Sequence, residues 1–171
     1  MGRDILVDGY NMIKNSASFA SVEARNQAAA REALITQLVS RYRHTPHHVT
    51  VVFDGDGASE QVSHDRRICI IFSRHSETAD SVIARLAAEA RYAGREVEMY
   101  SNDGEVQRAV TQHGGQAHTT SQLTKQLNAA PRDVERRYRQ RIAKRHQYGL
   151  DGSDEDEPEY RSGKSGKKRR R

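Results

Sequence analysis

Cysteine is almost missing. The one present, Cys69, lies in the apolar run ICIIF, so no intrachain disulfide can form and a reducing compartment is the simpler setting. Its expected role is to fill the core, because the sequence shows no base partner that would make it a nucleophile. Long apolar stretches are missing too, and none approaches the roughly 20 residues a helix needs to span a bilayer. The N-terminus has no basic segment leading into an apolar one, so no secretory leader is expected. Together these absences imply a soluble, cytoplasmic protein with no membrane partner. Apolar residues are scarce overall, at 35% against 30% charged, which implies that part of the chain stays outside any packed core. No internal repeat is apparent.

What is present is unevenly spread. A chain of 171 residues suits one domain plus an appendage, since compact domains commonly run to about 100–150 residues. From Pro131 onward there are 14 Lys or Arg against 8 Asp or Glu, while the whole chain carries +5, so the basic character is an end effect. Three regions are therefore expected. A domain occupies 1–130, and a basic helix occupies 131–148 with a narrow stripe of Val134, Tyr138, Ile142 and Ala143. A tail at 149–171, acidic in DGSDEDEPE and then basic in RSGKSGKKRRR, is too polar to order its backbone.

Within the domain, short apolar runs alternate with helical periodicity. Ile5–Val7, VTVVF, RICIIF and EVEMY read as buried strands, and QAHTT as a short last one. Helical patterns occupy about 22–43, 77–92, a short stretch through Val106 and Val110, and SQLTKQL. This alternation implies right-handed crossovers, a mostly parallel sheet and helices on both faces, hence a three-layer α/β/α sandwich. Arg31 falls on the apolar stripe of the first long helix with Leu34, Ile35 and Leu38, so its guanidinium is expected to point toward the sheet.

Three of these strands end in acid: Asp8 after the first, Asp54 and Asp56 after the second, Asp103 after the fourth. In a parallel sheet those ends share one edge, where open α/β sheets bind ligands. Asp80, in the first turn of a helix, lies about 100° from Ala79 and so borders the apolar stripe; Glu77 falls on the opposite side. Turn formation and helix capping are the ordinary duties of such aspartates. Gathered at one rim, however, they repel each other, and a hard divalent cation, Mg²⁺ or Mn²⁺, removes that cost. Such an ion suits phosphodiester hydrolysis, because it stabilises charge on phosphorus oxygens and lowers the pKa of a bound water.

The pieces ILVDGYNMI, VVFDG, ETADSVI and SNDGEVQ, in this order and spacing, resemble the YacP-like branch of the NYN domain family, grouped with the PIN-like metal-dependent ribonucleases. The resemblance covers roughly residues 4–128. It implies a Rossmann-like fold and a Mg²⁺ or Mn²⁺ centre that cleaves RNA, with Asp8, Asp80 and Asp103 as the principal catalytic and metal-binding acids and Asn11 and Asp54 close by. Arg31, in AREALI, also matches a family arginine, placed to meet a site carboxylate or a phosphate. There are two departures: Ala84 stands where a glutamate often follows the isoleucine, and Asn102 stands where serine is usual. The first bears on a second metal and on the strength of catalysis.

The expected substrate is single-stranded or unpaired RNA, as in mRNA decay or RNA processing, with the ribosome as a further partner. Tyr10 is a candidate platform for a base. Arg136, Arg137, Arg141, Lys144 and Arg145, on the basic helix, are candidates for phosphate contacts that offset the repulsion between an acidic rim and RNA. His44, His47 and His48, in a polar loop without cysteine, are assigned no metal. Two rivals stand beside this reading. FDGDG looks like the start of a haloacid dehalogenase-like phosphatase, and a non-catalytic RNA-binding or ribosome-associated module would keep the acidic rim as a relic.

Overall fold

The computed structural model describes residues 2–65 and 67–129, with Gln140 and Ala143. The chain divides into a compact unit, Met1–Pro131, and a second unit, Arg132–Arg171. The basic helix expected at 131–148, with Arg136, Arg137, Arg141, Lys144 and Arg145, and the tail expected at 149–171 lie outside the described residues, Gln140 and Ala143 apart.

The first unit runs β1 (Asp4–Asp8), α1 (Gly9–Lys14), α2 (Ala17–Glu23), α3 (Gln27–Tyr42), β2 (His48–Gly57), β3 (Gln61–Asp65), β4 (Ile68–Arg74), α4 (Ala79–Tyr92), β5 (Val97–Tyr100), α5 (Gly104–Gln112), β6 (Gln116–His118) and α6 (Thr120–Asn128). The sheet order is β3-β4-β2-β1-β5-β6, with every neighbouring pair parallel except β3 with β4. Strand alternation divides the core into two layers. Ile5, Val7, Val49, Val51, Phe53, Ile68 and Ile70 pack with Met12, Phe19, Leu34, Leu38 and Leu123 on one face. Leu6, Val52, Ile71 and Met99 pack with Val82, Ile83, Ala87, Val106 and Val110 on the other. Both faces are covered, which is why the central strands are nearly continuously apolar. The three-layer α/β sandwich expected from the alternation is the one observed.

Four local features differ from the expectation. The helix expected over 22–43 is two helices, because Asn26 starts α3 by accepting a hydrogen bond from the Ala29 N–H at 3.0 Å. The stretch after Asp8 is a helix rather than a turn, and Gly9 is required there because a Cβ would run into the Phe53 ring. VTVVF is the middle of a longer strand: β2 continues through Asp54 and Asp56 to Gly57, its register with β4 shifting between Phe53 and Gly57. Finally, QVSHD forms an edge strand antiparallel to β4 with no apolar face of its own.

β1 is central, flanked by β2 on one side and β5 on the other. The chain leaves β1 for β2 through α1–α3 and reaches β5 through α4, so the order reverses between β1 and β5, where an open α/β sheet forms its binding crevice. Asp8 ends β1 and Asp103 follows β5, one on each side of that crevice.

Candidate active site

Each acid at this edge owes its position to a helix start. Asp8 caps α1, its Oδ1 accepting from the Asn11 N–H at 3.2 Å. Asp103 caps α5, its Oδ1 accepting from the N–H groups of Glu105 at 2.7 Å and Val106 at 3.4 Å. Asp54 reaches the start of α4, its Oδ1 accepting from the Ala79 N–H at 2.8 Å, next to the N-cap Thr78. Asp80 follows in the first turn of α4. The ordinary duty of an aspartate and its membership of a site therefore coincide. Capping fixes one oxygen of Asp54 and of Asp103, and the second oxygen of each has no hydrogen-bond partner among the described residues. The positive ends of the helix dipoles meet the carboxylates here and offset part of their repulsion.

Burial and mutual charge set the electrostatics. Asp8 is 6% exposed. Desolvation pushes its carboxyl above the ordinary range, bonds from Asn11 and Ser101 pull it back, and the charges of Asp54 and Asp103 push it up again. Asp80, half-buried, is raised further, to about 6, by desolvation first and then by the charges of Asp8, Asp103, Asp54 and Glu105. Four carboxylates thus add to the effect of burial on Asp80.

Neutral side chains lock these acids together: Asn11, expected beside them, with Ser101 and Asn102. The buried Ser101 hydroxyl donates to Asp8 Oδ2 at 3.0 Å and accepts from the Asp103 N–H at 3.1 Å, joining the two principal acids. Asn11 Oδ1 accepts from the Asn102 N–H at 2.8 Å, and Asn102 Oδ1 accepts from the Thr120 N–H at 3.0 Å. Asn102, where serine is usual in the family that the motifs resemble, thereby ties α1, the end of β5 and the start of α6 together. Glu105 is a fifth carboxylate, exposed in the first turn of α5. The polar run SND followed by GE, part of the motif SNDGEVQ, is the sequence signal at these residues.

The other candidates are placed as follows. Asp56 is exposed, within the stretch of β2 where the register with β4 shifts. Glu77 precedes α4 and pairs with Arg74 and Arg85, away from the rim acids. The ring of Tyr10 is packed edge-on to Phe53, with centroids 5.0 Å apart, and its hydroxyl accepts from Arg31 at 2.9 Å. Arg31 does turn toward the sheet, lying over the Phe72 ring, and it meets no carboxylate among the described residues.

The donor set at the rim is carboxylate and amide oxygen, the chemistry of Mg²⁺ or Mn²⁺ rather than of softer ions. Among the described residues no three His, Cys, Asp or Glu stand close enough to grip one ion as they are. The oxygen donors present are of the kind that a hard cation takes when it keeps much of its water and is met by one or two carboxylates together with substrate, which is the habit of Mg²⁺.

The model of the YacP-like NYN domain matches residues 5–160. The chain belongs to the YacP-like NYN domain family. The match reaches beyond the 4–128 expected from the motifs and into the basic C-terminal region. The YacP protein of Bacillus subtilis strain 168 is 29% identical over 137 residues, covering 79% of this chain and 81% of the relative. The crystal structure of Rae1 (YacP) from Bacillus subtilis is 27% identical and superposes with a TM-score of 0.67 over 88% of this chain and 87% of that one. A substituted form of Rae1 gives 0.65 over 85% and 84%. This membership displaces the phosphatase reading of FDGDG.

Proposed function

We propose that this domain is an endoribonuclease dependent on Mg²⁺ or Mn²⁺ that cuts single-stranded or unpaired RNA in the cytoplasm. The observation that carries the reading is the convergence of Asp8, Asp54 and Asp103 on the crevice edge of an NYN-family sheet, with Asp80 in the first turn of α4 raised by their charges. Such repulsion is relieved by a divalent cation, which when bound supplies charge stabilisation at phosphorus and a water of lowered pKa. The chain's own residues do the rest. Asp8, held by Ser101 and the Asn11 N–H, keeps a fixed orientation at the floor of the crevice. Asp54 and Asp103 turn their uncapped oxygens to the same edge, and Asp80 ionises near pH 6. The Asn11 amide oxygen is spent on Asn102, which leaves its NH₂ to donate to a phosphate oxygen of the substrate. Unpaired RNA suits an open rim because splayed bases and a bare backbone reach it more easily than an A-form helix does. Arg136, Arg137, Arg141, Lys144 and Arg145 would add phosphate contacts from the basic region.

The test is incubation of end-labelled RNAs, free and ribosome-bound, with wild type and the Asp8→Asn, Asp80→Asn double variant in Mg²⁺, Mn²⁺ or EDTA. Cutting that needs the ion and is lost in the double variant supports the reading. Cutting confined to ribosome-bound RNA would assign the partner as well. Ala84 and the open donor set favour one alternative, a non-catalytic RNA-binding module. That alternative predicts RNA binding that survives Asp8→Asn and no cutting by wild type with any divalent ion.

A further inference from the structure

Arg31 is held in an unusual way. It is half-buried, yet none of its partners among the described residues is an acid. Both Nη1 hydrogens are spent on neutral oxygens, Tyr10 Oη at 2.9 Å and Gln27 Oε1 at 3.4 Å. The plane of the guanidinium caps an aromatic stack, with its carbon 5.5 Å from the Phe72 centroid and Phe72 stacked on Phe53 at 5.3 Å. The other described arginines with side-chain partners differ. Arg3, Arg74, Arg85 and Arg95 pair with carboxylates, and Arg67 and Arg91 meet backbone carbonyls.

The bonds that Arg31 does make fix its rotation and leave one edge unspent. Nε–H and the Nη2 hydrogens have no acceptor among the described residues. That edge offers two parallel donors, the fork that fits a carboxylate or a phosphate bidentately. A partly desolvated cation with no counter-ion costs stability, and an arriving anion recovers it. The location decides which anion. Tyr10 follows Asp8 by two residues, and Phe53, on which Phe72 stacks, immediately precedes Asp54, so the groups that hold the fork adjoin two of the rim acids along the chain. A carboxylate ligand would meet those acids as one more like charge. A nucleic-acid strand whose scissile phosphate lies at the rim would carry its neighbouring phosphate past the arginine.

We propose that the Nε/Nη2 edge of Arg31, pinned by Tyr10, Gln27 and Phe72, is a subsite for one backbone phosphate flanking the scissile linkage of a single RNA strand. The proposal rests on the reading of the rim as an RNA-cutting site. Arg31 is a positioning residue: it sets the register of the strand and takes no part in bond breaking.

The test reads binding without cleavage. A short single-stranded oligoribonucleotide is titrated by fluorescence anisotropy in EDTA over a range of salt, against wild type, Arg31→Gln and Arg31→Lys. Arg31→Gln is expected to weaken binding about tenfold and to reduce the slope of log K against log salt by about 0.7, the share of one phosphate contact on a single strand. Arg31→Lys is expected to keep the slope and lose most of the affinity, because a point charge replaces a fork. A set of oligonucleotides, each with one neutral methylphosphonate, should show one linkage whose neutralisation weakens wild type and costs Arg31→Gln nothing further. Unchanged affinity and slope in Arg31→Gln would overturn the proposal. If that variant does not fold, the scan on wild type decides: one dominant linkage supports the subsite, and a uniform cost along the strand refutes it. Arg31-dependent binding by a protein that never cuts RNA would sink the nuclease reading alone, whereas cutting with Arg31-independent binding would sink this one alone.

Discussion

Strand β1 carries an aspartate at each end, and the two live differently. Asp4, at the start, pairs with Arg95 at 3.3 Å and has the His48 ring nitrogen 3.6 Å from its other oxygen. Beside it, Glu96 and Glu98 at the start of β5 share Arg3. Asp8, at the finish, has only a hydroxyl and an amide as partners, and its charged neighbours are other acids. The sheet, the strand and the residue type are the same, and one edge satisfies its acids while the other leaves them in mutual repulsion. Among the described residues the fold pairs its acids with arginines four residues away and gives the rim acids no ion pair, which suits the rim to an ion or a substrate brought from outside.

The sharpest way to break that comparison is to remove charge at either edge and follow RNA cutting. Asp8→Asn or Asp103→Asn should lower metal-dependent cleavage on the order of 100-fold or more, whereas Asp4→Asn should leave it within about twofold, as gel-based initial rates would show. Equal losses at the two edges would erase the distinction.

Stability should respond in the opposite sense. Folding holds the Asp80 carboxyl at about 6 against its ordinary 3.8, so the folded state favours the protonated form. The metal-free protein has this help fully below about pH 4 and loses it as pH rises through 6. Thermal melts in EDTA should show Tm falling across that window, and the fall should shrink in Asp80→Asn. At pH 7.5 that variant should be more stable than wild type by about 1 kcal/mol after allowance for solvent screening, which is roughly 2–4 °C in Tm. A destabilised Asp80→Asn would mean that the acid is already neutralised in the free protein.

The neutral links should matter less. Asn102→Ala removes one hydrogen bond, the one that its Oδ1 accepts from the Thr120 N–H, and keeps the backbone N–H that donates to Asn11, so it should cost about 1 kcal/mol in urea unfolding. At the satisfied edge, Arg95→Ala removes an exposed ion pair and should shift the same midpoint by less than about 1 kcal/mol.

Apolar burial made most of this fold legible in the sequence. β1, β4, β5 and α4 bury regular apolar positions, and their patterns are the ones that could be read directly. β3 could not be, because all it contributes to the sheet is a backbone ladder and QVSHD has no apolar face. The six-residue α1 was hidden because Gly9-Tyr10-Asn11 has turn chemistry, and the glycine is there for the Phe53 ring. The break at Asn26 depends on a cap inside a continuous helical pattern. At the site, the acids were legible because charge at the ends of buried strands is anomalous. Ser101 and Asn102 were not, because a neutral residue shows its role only through its partners. Arg31 was readable as turning inward, but that its partners would be a hydroxyl, an amide and a ring required coordinates.

The central claim is that the unneutralised rim collects a divalent cation while the opposite edge does not. Titration of Mn²⁺ at pH 7.5, with free ion followed by electron paramagnetic resonance, tests it most directly. The account predicts saturable binding by wild type, weakened at least about tenfold by Asp80→Asn and unchanged by Asp4→Asn. Binding that is equally strong in all three proteins, or absent from wild type, would contradict it.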